Sequence, residues 1–413
     1  MQKRFAPDEG GAFPEWEEVR LGDIVELKNG YAFSAKTYEK KHDGKYNVLT
    51  IANVQSEKFV KIDNKTNTIS ELPKNIREHQ KLKDGDLLIS LTGNVGRVAI
   101  NKGQNNLLNQ RVGKLEIKDA EKVDSTFLYY VLNSDLFLKS MKCKGHGTAQ
   151  KNLSKPDVEE FLFYMPCIEE QRKIAAALAA YDEMIAVKTA KLETWQECKK
   201  RMVKEIFGRA KRFRDDDGNE FPEWEEKTLG EVTEYVRNGY SYKPDGLRTH
   251  KYKVTRIETI STGKINPEKL GSCDECDEKY LLKSGDILYS NINSLSYLGN
   301  TAIYKNSTEK IYHGMNLLCI RPKSSVIDAD YLFAFLNSEA ARKFVKYNAQ
   351  RAVNQCSIKV SDVRNMKIPL PCMTEQQKIG SFLAEIDKEI EIQKEFVRTY
   401  AEGKRRMMME LMA

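Results

Sequence analysis

The 413-residue sequence lacks any apolar run long enough for a bilayer. Its longest apolar helical stretch, Ile174 to Tyr181, falls far short of the roughly 20 residues a span needs. The opening MQKRFAPDEG has no apolar core of the signal-peptide kind, so a cytoplasmic protein is expected. Eight cysteines at irregular positions form no disulfide framework and point to reduced thiols. Cys273 and Cys276 stand among acids with no second pair at zinc-finger spacing; a structural zinc needs four ligands, so no metal is expected. The five histidines are scattered and form no H-x-x-x-H or triad-like group. Also absent are a G-x-x-x-x-G-K-[ST] loop, an Asn/Asp-Pro-Pro-aromatic run and a glycine-rich cofactor loop after a strand, and with them the usual signs of nucleotide hydrolysis and amino-methyl transfer. Pro156-Asp157-Val158-Glu159-Glu160 lacks the trailing lysine of a nuclease carboxylate pair and reads as a structural loop. Charge of one sign is scarce: 67 Lys plus Arg against 60 Asp plus Glu leave +7, spread along the chain. That balance permits an anionic partner without demanding one.

What the sequence does have is length for several domains and a repeated seam. From Ile168 to Phe207, steps of four and three meet Ile174, Leu178, Tyr181, Ile185, Lys188, Leu192, Trp195, Lys199, Met202 and Ile206. A period of 3.5 without Pro or Gly predicts a long helix packed on another in a left-handed supercoil. Shifted by 205 residues, the seam returns as Ile379, Leu383, Ile386, Ile390, Gln393, Val397, Tyr400, Lys404, Met407 and Leu411, with its polar interruptions at the same steps. Two unrelated surface helices would not share their defects.

The repeat covers the whole chain. FPEWEE occurs at 13–18 and 221–226, Arg4-Phe5 answers Arg212-Phe213, and Asn29-Gly30-Tyr31 answers Asn238-Gly239-Tyr240. Pro166-Cys167 with Glu170-Gln171-x-Lys173-Ile174 answers Pro371-Cys372 with Glu375-Gln376-x-Lys378-Ile379. Each copy reads as short β-rich runs, then one helix (Ser125 to Lys142; Asp330 to Lys346), a strand, and the long helix. Thr374 to Gln377 has capping-box form at the start of the second long helix. The expected organisation is 1–167, a first β-rich domain; 168–208, a helix; 209–371, a second such domain with a linker over 209–220; and 372–413, a second helix. If the ends of each domain lie close together, the helices run antiparallel. A 40-residue helix is about 60 Å long, so the layout predicted is a rod with two similar heads related by a pseudo-twofold axis.

The heads agree in frame and differ in polar loops, where binding residues are commonly carried. Asn, Gln, Arg and Lys make the bidentate and charge-assisted bonds that base edges and phosphates accept. The candidate DNA contacts are therefore Asn29, Tyr31, Lys36, Thr92, Asn94, Arg97, His146, Gln150 and Lys151 in the first head. In the second they are Asn238, Tyr240, Lys243, Asn291, Asn293, Tyr297, Gln350, Arg351 and Asn354. Ordinary solvated turns are the alternative for any one loop.

Two β-rich domains alternating with two long helices, each opened by P-x-x-x-E-Q-x-K-I and with W-E-x-x-x-L-G at Trp16 to Gly22 and Trp224 to Gly230, resemble the DNA-specificity subunit of type I restriction-modification systems. The resemblance covers the full chain and implies an α+β fold: two similar target-recognition domains and two antiparallel coiled-coil helices from a tandem duplication. It implies that each domain reads half of a bipartite, asymmetric double-stranded DNA target while the helices set the spacing. Partners would be two methyltransferase subunits and two restriction-translocase subunits, carrying S-adenosylmethionine, ATP and magnesium, with no cofactor on this chain and no catalysis of its own. Heads on such a rod could meet half-sites separated by roughly five to eight base pairs, since major-groove faces recur about every 34 Å. The helix-start residues Glu170, Gln171, Glu375 and Gln376 are expected on an outer face as the partner platform. Competing readings are a methyltransferase or nuclease with unrecognised motifs, and a coiled-coil adaptor that binds only proteins.

Overall fold

The structure is a computed structural model describing residues 4–39, 43–55, 57–145, 151–241, 251–261, 263–305, 309–351 and 355–412. It divides into two compact units, Met1–Lys188 with Phe396–Ala413, and Thr189–Glu395. Each unit thus holds one head and half of each long helix. The helices themselves run unbroken over Ile168–Phe207 and Met373–Met412.

In unit 1, Val25–Asn29, Val112–Ile117, Leu87–Ser90 and Val98–Ile100 form an antiparallel sheet in that spatial order. Leu87–Ser90 is buried along its whole length because it serves two cores. Its alternating side chains send Leu87 and Ile89 to the cluster of Phe127, Leu128 and Phe137, and Leu88 to that of Leu49, Val54 and Leu108. A second sheet orders Asn67–Ile69, Tyr46–Leu49, Asn106–Leu108 and Lys81–Leu82, with the middle pair parallel. Glu17–Arg20 pairs with Leu162–Met165 and closes the head.

Unit 2 repeats this plan with Thr233–Asn238, Leu318–Pro322, Ile287–Tyr289 and Thr301–Ile303. Its central strand is divided the same way, Ile287 and Tyr289 to one cluster and Leu288 to another. Glu225–Thr228 closes against Lys367–Leu370. Sheet order and strand faces are duplicated, as a tandem repeat of one folding unit requires.

The single helix expected in each head is two. Ser125–Leu132 ends at Asn133, and Ser134 caps Asp135–Lys144 by accepting from the Phe137 N–H. Ala329–Leu336 and Glu339–Asn348 are separated likewise, with Ser338 as the cap. An Asn-Ser pair offers a serine oxygen to orphan helix donors, which outweighs apolar periodicity running across it. Pro156 to Glu159 is also helical, within Lys155–Glu159, where Ser154 and Asp157 form a capping box. Thr374 lies inside the first turn of its helix rather than at the cap.

Within each unit the long-helix segments run antiparallel. Ile174 and Leu178 share a core with Leu411, against which Met407 packs, and the rings of Tyr181 and Tyr400 are 6.4 Å apart. Further along, Ile185 and Val397 are half-buried. In unit 2, Met202 and Ile206 share a core with Ile379, Leu383, Ile386 and Ile390, and Leu192 and Trp195 pack on it. The polar interruptions have distinct roles. Lys404 donates to Asp182 and Lys199 to Asp387, each at 2.6 Å across the seam. Lys188 lies 4.4 Å over the Phe396 ring. Gln393 is buried, and its Oε1 has no hydrogen-bond partner among the described residues.

Candidate nucleic-acid interface

The residues at each long-helix start are where structure and expectation part. Glu170, Gln171, Glu375 and Gln376 are at most 1% exposed, so they offer no outer platform to a partner. They clamp the head to its helix instead. Glu170 accepts from the Trp16 indole (2.9 Å), Arg4 (3.1 Å) and the Phe5 N–H (3.2 Å). Glu375 accepts from Trp224 (2.8 Å) and from two nitrogens of Arg212 (2.9 and 3.3 Å). A carboxylate can lie this deep because a cation and an indole replace its water. Gln171 accepts from the Asp124 N–H and donates to the carbonyls of Lys122 and Pro166. Gln376 makes the same three bonds to Asp328, Val326 and Pro371. Lys173 and Lys378 complete the grip on the opening segments, at the Ala6 and Arg214 carbonyls. The signal was available: Arg-Phe, FPEW and EQxK always appear together.

The polar loops of each head are drawn together by backbone pairing. In unit 1, Thr92 bridges Asn152, and the Gly93 N–H donates to the Lys151 carbonyl at 2.9 Å. Asn94, Arg97 and Lys151 then line one recess of about 650 Å³ with Gln55, Tyr129, Asn133, Lys142 and Lys404. Nearby, Tyr130 donates to Asp182 at 2.6 Å; burial first, then that carboxylate, raise its hydroxyl far above the ordinary phenol range, so it stays a donor. Asn29, Tyr31 and Lys36 are not among the recess residues. Asn29 and Lys36 are exposed, while Tyr31 is half-buried against Phe33. His146 and Gln150 lie outside the described residues.

In unit 2 a small sheet does the joining. Ile292–Asn293 pairs with Cys356–Ser357, which pairs with Gln350–Arg351. This brings Asn293, Gln350 and Arg351 together, with Gln350 and Arg351 exposed. The loop carrying Tyr297, which is half exposed, is tied to the following helix where Arg342 donates to Asn300 at 2.8 Å. Asn291 is a correction: at 6% exposure it belongs to the frame, and its carbonyl receives the Ile358 N–H. Asn238 is exposed and Tyr240 half-buried, 5.5 Å from the Tyr280 ring; Lys243 and Asn354 lie outside the described residues. Reasoning from sequence missed Tyr347, 90% exposed on the helix leading to Gln350, because its place in a helical period said nothing of its face.

The repeated Asn-Gly-Tyr has a backbone cause. A Cβ on Gly30 would stand 2.2 Å from the Asn109 carbonyl oxygen, and one on Gly239 2.0 Å from that of Gly314. Cys273 and Cys276 sit beside Tyr240, and burial pushes the Cys276 thiol up to about 12, so both are packing groups rather than reactive thiols. Among the described residues no cluster of metal-ligating side chains occurs. No described helix is long and apolar enough to cross a membrane.

A β-rich head with polar loops followed by one long helix, given twice in tandem, defines the class of fold. The family model for the type I restriction modification DNA specificity domain matches residues 14–194 and again 222–396, and the chain belongs to that family. The putative type I restriction enzyme MjaX specificity subunit of Methanocaldococcus jannaschii is 38% identical over 210 residues, half of this chain and 49% of that protein. The MjaVIII specificity subunit of the same organism is 28% identical over 98% of this chain and 94% of its own length. In fold, the chain is similar to the crystal structure of the type I S subunit from M. genitalium, with a TM-score of 0.66, 16% identity and 99% coverage of both chains.

Proposed function

We propose that this chain is the DNA-reading subunit of a type I restriction-modification assembly and performs no chemistry itself. Residues 1–167 and 209–371 act as the recognition domains, each taking one half of a bipartite, asymmetric target. The helices over 168–208 and 372–413 fix the separation of the two halves. They also seat two methyltransferase subunits, which flip out and methylate adenine, and the assembly recruits two translocase-nuclease subunits in a cytoplasmic setting. The methyl donor, ATP and magnesium belong to those partners.

One observation carries the reading: the two heads share sheet order and clamp, yet differ in the loops that backbone pairing gathers together. Unlike heads suit unlike half-sites, whereas identical heads would suit a palindrome. With the clamp at Glu170 and Glu375 withdrawn from the surface, the exposed apolar side chains Met184 and Val187, and on the other helix Ile392, are better platform candidates. The test is to grow a host with the parent chain and with one whose unit 2 loop, residues 350–358, comes from a relative, then map adenine methylation. One half of the methylated motif should change while the other half and the spacer persist. Identical motifs, or loss of both halves together, would refute the assignment.

A further inference from the structure

We propose that the recess of unit 1 is a phosphate-binding site shared between the first head and the second long helix. Its lining holds Arg97, Lys142, Lys151 and Lys404 with the neutral amides Gln55, Asn94 and Asn133, and no carboxylate among the described residues. Lys404 is paired with Asp182. Arg97, Lys142 and Lys151 have no carboxylate partner among the described residues, so three cations meet one concave volume uncompensated.

The corresponding recess of unit 2 shows that this is a choice of the head and not a habit of the fold. Phe333, Asn337 and Lys199 line it at the positions of Tyr129, Asn133 and Lys404. It is larger, about 850 Å³, and each of its five lysines has a carboxylate partner. Lys264 and Lys394 pair with Glu391, Lys305 with Asp330, Lys199 with Asp387 and Lys388 with Glu385. Converging cations with low-dielectric walls concentrate positive potential. A guanidinium fork and ammonium groups together match the acceptor oxygens of a phosphate, and the volume admits part of its ester. The phosphate comes either from the DNA backbone, which rests on the reading above, or from a free nucleotide. In either case the second long helix takes part in binding through Lys404.

The test uses the full chain and a fluorescent random-sequence duplex over a salt series, with ATP and inorganic pyrophosphate titrated separately by calorimetry. For a backbone phosphate, Arg97→Ala and Lys142→Ala each lower the slope of log affinity against log salt by about one. Arg97→Lys regains most of it, and Lys264→Ala in unit 2 leaves it unchanged. For a free nucleotide the slope holds, and pyrophosphate or ATP binding to the parent chain is lost in Arg97→Ala. An unchanged slope with no such binding overturns the proposal. If the methyltransferase assembly still discriminates between target sequences in that case, the recess fails and the DNA-reading assignment stands.

Discussion

The two compact units are built from the same parts joined differently. In unit 2 the end of the first long helix runs directly into the second head: Phe207 packs on Tyr331 and Phe335, and Phe213 meets Phe382 six residues later. The turn between them is ordered by the helix end itself, the Ala210 and Lys211 N–H groups both donating to the Glu205 carbonyl. In unit 1 the matching pieces, the helix end at Leu411 and the opening segment at Arg4-Phe5, are not neighbours in sequence. They meet only by packing, with Phe5, Met407 and Met408 on one cluster with Leu411 and Ile174. Both units hold the opening segment on the start of a long helix through a buried glutamate, and unit 2 adds the covalent connection to the end of the other helix. The two clamps differ in one donor: Glu170 takes the Phe5 N–H, where Glu375 takes a second guanidinium nitrogen.

The largest effect should come from breaking that clamp. Glu170→Ala removes the buried acceptor that Trp16, Arg4 and the Phe5 N–H share, and should lower the urea midpoint of unit 1. Residues 4–16 should then be cut early in limited proteolysis. Glu375→Ala should cost a similar amount in urea unfolding, but the segment around Arg212 stays tethered by Gly208 to Lys211 and is cut later. Equal cleavage in both variants would mean that the covalent link is irrelevant.

Much of this was written in the sequence, and its limits were physical. The duplication, the seam and its defects at Lys199 and Lys404 were legible because period and repetition are properties of the string. The clamp was half legible. FPEW and EQxK recur together, but a glutamate at a helix start is ordinarily solvated, and nothing in the string says that Trp16 turns its indole onto Glu170. Helix division at Asn133-Ser134 and Asn337-Ser338 was visible as a capping signal that apolar spacing outvoted. Loop geometry was not legible at all: Asn291 and Asn293 are two residues apart with the same chemistry, and only strand pairing makes one buried frame and the other part of a polar surface.

A second contrast lies beside Tyr31 and Tyr240. Tyr31 donates its N–H to the Leu108 carbonyl, and Tyr240 does the same to His313. The equivalent place is thus a leucine in unit 1 and a buried histidine in unit 2, whose Nε2 lies 3.0 Å from the Leu317 carbonyl. Burial pushes this imidazole down to about 4 from its ordinary 6.5. Its folded affinity for protons is lower than its unfolded one, so unfolding takes up a proton in between. Stability from this group is complete above pH 6.5, declines as pH falls toward 4, and is flat below; the full loss is about 3 kcal/mol. His313→Leu, importing the unit 1 residue, should flatten the urea midpoint of unit 2 across that window. A slope equal to that of the parent would place the titration elsewhere.

The smallest effect concerns the polar step that both seams share. Lys199–Asp387 and Lys404–Asp182 occupy equivalent positions, but their surroundings differ. Asp387 is two-fifths exposed and bonds Lys199 through both oxygens at 2.6 and 2.7 Å. Asp182 is less exposed and is shared by Lys404, Tyr130 and, at 3.7 Å, Lys58. An exposed pair contributes about 0.2–1 kcal/mol, whereas a networked one resists pairwise accounting. Double-mutant cycles to alanine should therefore return a coupling of about 0.5 kcal/mol for Lys199 with Asp387 and a larger one for Lys404 with Asp182. Replacing Tyr130 by Phe, which removes the hydroxyl that donates to Asp182, should bring the second value down to the first. If the couplings already agree in the parent, Tyr130 and Lys58 add nothing, and the seams are energetically as well as formally the same.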